Sequence, residues 1–150
     1  MKKDPVIWCC ALIFLVLQGV ANADEFRFKG GDEDEGKIAF ERLNCIQCHR
    51  VTGVELEDPK TERVLNLSLA GEIRFVKSYT DILLAITNPQ HVVTTQYSGL
   101  LSKAELDGEI EPFMPDLSQD MSAAQLIDLA AFLDSVYSKN LAEYRAMVKR

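Results

Sequence analysis

The chain has 150 residues, with 16 Lys and Arg against 23 Asp and Glu, a formal net charge of −7. That balance argues against nucleic acid or anionic lipid as a partner, and it suits a protein partner with a basic docking surface. The length allows one domain with a modest core.

The N-terminus reads as an export signal. Lys2 and Lys3 precede an apolar run from Val6 to Leu17, and Ala21-Asn22-Ala23 is an A-x-A cleavage site. A secretory signal peptide over residues 1–23 is therefore expected, with export to the periplasm and no membrane span after cleavage. An uncleaved N-terminal anchor is the alternative. Cleavage after Ala23 leaves 127 residues, with 14 basic against 22 acidic side chains and a net charge of −8. It also removes Cys9 and Cys10, so Cys45 and Cys48 are the remaining cysteines. Two cysteines make no disulfide framework. They pair with each other or they bind something.

Residues 24–35 read as a flexible acidic leader with Gly30 and Gly31 side by side, and residues 36–150 as the folded domain. Asp32, Glu33, Asp34 and Glu35 suit the first turn of a helix, where carboxylates meet the positive end of the dipole. Gly36, Phe40 and Leu43 then share one helical face. Arg50 to Leu69 reads as loop, with Gly53 and Pro59. Ser78-Tyr79-Thr80-Asp81 is an N-terminal capping segment, and Ile82, Leu83 and Ile86 form the stripe of the helix it starts. Asn88-Pro89 stops that helix. Val92 to Asp120 is a long connection with room for a short helix within Leu101 to Leu106. Ser122 and Gln125 form a capping box for a last helix reaching to Met147. Leu126, Leu129, Ala130, Leu133, Val136 and Tyr137 are its buried face. No segment shows a strand period long enough for a sheet, so the expected fold is all-α, helices and loops around a central ligand.

Cys45-Ile46-Gln47-Cys48-His49 is a C-x-x-C-H sequence, the attachment site of a c-type haem. Its two thiols would form thioether bonds to the vinyl groups, and His49 would be the proximal iron ligand. The rivals are zinc, a thiol redox site and a simple disulfide. Structural zinc needs four N or S ligands, and beyond the motif only His91 remains. A thioredoxin-type site needs a βαβ context, whereas this pattern is helical. A Cys45–Cys48 disulfide leaves His49 without a role. One covalent haem c through Cys45 and Cys48 is the expected cofactor.

The sixth iron ligand has four candidates: Met114, Met121, Met147 and His91. Met114 leads, because Phe113-Met114-Pro115 lies in the connection before the last helix and the proline stiffens it. Met121 precedes an N-cap and suits packing under the helix start. Met147 suits a surface position, and His91 a loop position after a helix stop. His/Met ligation raises the reduction potential above that of His/His.

On these residues the chain resembles the single-haem class I c-type cytochromes of bacteria. The resemblance runs from about Glu35 to Tyr137. It rests on Gly36 and Phe40, on Cys45 to His49, on Met114-Pro115, and on the last helix with Leu129, Phe132 and Leu133. It implies a cytochrome c-like helical domain whose first and last helices cross where Gly36 and Phe40 meet Phe132 and Leu133. Two departures stand out. The family's Gly-Pro-x-Leu segment, whose proline carbonyl accepts from the proximal histidine, has as its nearest counterpart Val64-Leu65-Asn66-Leu67. The Leu65 carbonyl, or Pro59 on another loop path, would have to accept from His49. The tryptophan that touches a haem propionate in many relatives is also missing, with Arg63, Arg74, Lys77 and Tyr97 as substitutes.

The expected function is periplasmic one-electron transfer by a His/Met-ligated haem c, with redox proteins as partners and no bond-making catalysis. One alternative is a cytochrome subunit of a periplasmic oxidoreductase complex, such as one that oxidises sulfur compounds. The other is a ligand-binding or peroxidase-like haem protein from which Met114 departs.

Overall fold

The computed structural model describes residues 27–62, 65–71, 77–89, 95–101, 114–117 and 119–149. The export signal, Arg63, Arg74, His91, Phe113 and the segment Leu101 to Leu106, apart from Leu101 itself, lie outside these residues. In chain order the elements are α1 (Glu33–Arg42), a 3-10 turn (Cys45–Gln47), β1 (His49–Val51), β2 (Leu67–Leu69), α2 (Tyr79–Thr87), α3 (Thr95–Ser98) and α4 (Ala123–Val148). Among the described residues no helix is long and apolar enough to cross a membrane.

Each long helix starts on a side-chain cap. Asp32 accepts from the amides of Asp34 and Glu35 ahead of α1. Ser78 with Asp81, and Ser122 with Gln125, close full capping boxes on α2 and α4. Each pairing satisfies amides that a helix start leaves without intrahelical partners.

The frame is α1 crossed by α4. A Cβ on Gly36 would lie 2.0 Å from the Asp128 carbonyl oxygen and 2.7 Å from the Phe132 Cβ. Only a residue without a side chain lets the two backbones approach so closely. Beside this contact Phe40 meets Phe132 edge to face, with ring centroids 5.9 Å apart. Among the described residues Phe40 and Leu129 are the largest fully buried side chains. Helix α2 packs against α4 and adds Tyr79, Ile82 and Ile86 to the same core.

Glu33–Glu35 open α1, as their carboxylates suggest. Ahead of them the chain meets α4 at particular residues, the Asp32 amide donating to the Asp128 carboxylate at 2.9 Å. Gly31 sits where a Cβ would strike the Ala131 Cβ at 2.7 Å. Arg27 pairs with Asp134 and lies over the Tyr79 ring, 5.7 Å from its centroid. Burial, and then the Asp134 carboxylate, push the Tyr79 hydroxyl above its ordinary pKa.

The structure corrects the expectation that no segment forms a sheet. His49, Arg50 and Val51 pair in parallel with Leu67, Ser68 and Leu69. The loop between the strands is tied to its surroundings: Arg50 Nε donates to Asn66 at 2.8 Å, and Glu57 N to Glu41 at 3.1 Å. Strands of three residues carry no readable alternation, so their pairing shows only in three dimensions.

Candidate functional site

The path from α1 into the motif explains how its side chains share one wall. After the C-cap Leu43, Asn44 takes the left-handed conformation at φ 60°, which asparagine tolerates better than most residues. The chain then turns as a 3-10 helix, in which residues i and i+3 eclipse. Cys45 and Cys48 stand in that relation, and the Cys48 amide donates to the Cys45 carbonyl at 3.1 Å. Of the two residues between them, Ile46 is buried in the core. Gln47 holds the returning loop through the Glu62 carbonyl and Thr61. His49 follows as the first residue of β1, opposite Leu67.

Cys45, Cys48 and His49 line an open cleft together with Met114. Its cavity volume is about 210 Å³, within about 1330 Å³ of space counted to its open mouth. Phe40 of α1 and the C-cap Leu43 form part of the lining, and Leu129, Leu133 and Tyr137 come from α4. Helix α2 contributes Ile82, Ala85 and Ile86, while Leu65, Leu67 and Leu69 come from the second strand and its approach. The lining is almost wholly apolar, with Lys77 and Tyr97 among its few polar members.

This environment sets the protonation of the motif. Burial pushes the Cys45 thiol up to about 11, and the neighbouring Cys48 adds to the rise against an opposing backbone hydrogen bond. The two cysteines are free thiols. A thiol redox centre needs the opposite, a thiolate stabilised near neutral pH. Burial also holds His49 below its ordinary pKa, against the pull of a hydrogen bond with the Leu67 backbone. A neutral imidazole is the form that binds a metal.

The donor set fits a haem c held by its two thioether bonds. Two thiols, an imidazole and a thioether line one mostly apolar space. Cys45, Cys48 and His49 would hold the group from one side, and Met114 is the methionine brought to the same cleft. Met121 packs against the core instead, and Met147 is 66% exposed on α4.

Some site residues were not legible in advance. Of the four substitutes for a propionate-binding tryptophan, Lys77 and Tyr97 reach the cleft. The backbone that acts on His49 is that of Leu67, two residues beyond Leu65. Its position follows from the parallel register, which no local signal announced. Ile82 and Ile86 read as ordinary helix stripe, yet they line the cleft as well as filling the core.

No protein-family model, curated protein or solved structure matches this chain.

Proposed function

We propose that this protein is a periplasmic electron carrier that holds one haem c covalently through Cys45 and Cys48, with His49 and Met114 as axial ligands. The observation that carries the reading is the meeting of all four side chains on one apolar cleft. Bound there, the haem would supply one-electron exchange between iron(III) and iron(II).

The chain's own residues do the rest. Cys45 and Cys48 tether from one turn. His49 offers a neutral imidazole held by the β1–β2 pair, and Met114 a soft thioether that favours the reduced metal. Phe40, Leu129, Leu133, Ile82 and Ile86 keep water from the site and lower its dielectric, which also favours the less charged, reduced state. The open mouth of the cleft would let a bound haem exchange electrons with a docked partner. The acidic charge of the chain suits brief, steered docking with a basic partner. Membership of a periplasmic oxidoreductase complex would use the same centre with a lasting interface instead of a brief one.

Intact-mass analysis of the exported protein tests the attachment. The expected result is one added haem that survives denaturation, lost when both Cys45→Ala and Cys48→Ala are introduced. An exported wild-type chain with no added mass would contradict the reading.

A further inference from the structure

Asn140 lies on α4 one turn beyond Val136, where the helix leaves the core. Its Nδ2 donates to the Thr52 carbonyl at 3.0 Å and to the Ala70 carbonyl at 3.0 Å. Thr52 directly follows β1, and Ala70 directly follows β2. One side-chain amide thus spans the ends of both strands. Its two N–H groups match the two carbonyls, and a flipped amide would set an oxygen against both, so chemistry fixes the orientation.

The backbone around Asn140 is shaped to receive it. Ala70 holds φ 57° and Gly53 holds φ 81°, both left-handed. The Asn140 Oδ1 sits 3.5 Å from where a Gly53 Cβ would be. Thr52 and Ser68 join their hydroxyls across the strands at 2.9 Å. A pair of three-residue strands is marginal by itself. Asn140 supplies a further link where the short ladder runs out.

That ladder begins with His49. The Leu67 amide donates to the Cys48 carbonyl at 2.8 Å and the Thr52 amide to the Leu69 carbonyl at 2.9 Å, with His49 itself paired opposite Leu67. The relative placement of the two strands therefore sets how the imidazole is presented to the cleft. We infer that Asn140 is a positioning residue for His49, clasping β1 to β2 from α4 and so fixing the imidazole's orientation. This inference rests on the reading of His49 as an axial ligand of haem c.

The test compares the exported wild type with Asn140→Asp, Asn140→Ala and, as a neighbouring control, Lys139→Ala. The aspartate keeps the shape and removes both donors, and the alanine removes them without adding charge. Two properties are read: amide exchange at Leu67 and Thr52, and the reduction potential with the hyperfine-shifted His49 ring protons. The expected result is exchange at least about tenfold faster in both Asn140 variants, with a moved potential and moved ring-proton shifts. Lys139→Ala should match the wild type. Faster exchange with potential and ring-proton shifts unchanged would reduce Asn140 to a structural tie and overturn the inference, as would unchanged exchange. A wild type without covalent haem would overturn the haem reading and the ligand role together. The exchange measurement on that haem-free chain would separate this failure from a failure of the clasp.

Discussion

The two parts of the cleft lining that carry His49 and Met114 are made differently. The His49 wall is continuous with a helix, a turn and a strand, and each step hands its geometry to the next. Gly36 fixes α1 on α4, Asn44 turns the chain, the 3-10 turn aligns the cysteines, and the parallel ladder receives His49. The Met114 wall arrives by a connection. Leu117 anchors it to the start of α4, its carbonyl accepting from the Asp120 and Met121 amides at 3.0 Å each. The contrast teaches where a ligand can leave. A side chain held by a strand ladder and a helix crossing is costly to move, whereas one carried on a connection can depart while the rest of the fold stays intact.

Replacing the two axial residues tests that contrast most severely. His49→Ala should abolish the low-spin spectrum and lower the yield of folded protein. Met114→Ala should keep the covalent haem and the fold, lose the long-wavelength iron–sulfur band and gain carbon monoxide binding. Met121→Leu and Met147→Leu should leave the spectrum unchanged. If Met114→Ala disturbed the fold as much as His49→Ala, the distinction between the walls would fall.

Gly36→Ala should destabilise the protein by about 3 kcal/mol in urea unfolding, because the added methyl meets backbone that cannot yield. The same substitution at Gly53, where the nearest atom is 3.5 Å away, should cost less and act through the positive φ alone. In the haem-free chain at neutral pH, the Cys45 thiolate should be about a hundredfold scarcer than in an ordinary cysteine, so iodoacetamide should label it correspondingly slowly. Rapid labelling would favour a thiol redox role instead. The smallest effect belongs to the Met114 side. Ser122→Ala removes the cap of α4 beside Met121 and should cost about 1 kcal/mol. Under partial denaturation it should loosen Met114 before His49, seen as early loss of the iron–sulfur band.

What could be read from the residues was what lies close along the chain. Both capping boxes, at Ser78 with Asp81 and at Ser122 with Gln125, were visible because each is a four-residue pattern with a local mechanism. The same holds for the carboxylates at the start of α1 and for the C-x-x-C-H turn. What could not be read depended on partners far apart. The β1–β2 pair joins residues 18 positions apart in strands too short for a period. Arg27 and Asp134 are separated by 107 positions, and an aspartate within a helix ordinarily reads as solvated. Asn140 likewise reads as one polar residue on a helix until the carbonyls of Thr52 and Ala70 are found beneath it. The crossing of α1 and α4 was intermediate, since Gly36 and Phe40 mark a face by themselves but Phe132 was named as its partner only through the resemblance.

The most direct test of a haem held between His49 and Met114 is the visible spectrum of the exported protein, oxidised and reduced. The account predicts sharp α and β bands on reduction, and the weak long-wavelength iron–sulfur band on oxidation. A high-spin spectrum, or a low-spin spectrum without that band, would contradict methionine ligation by Met114, and a chain with no haem spectrum at all would contradict the whole reading.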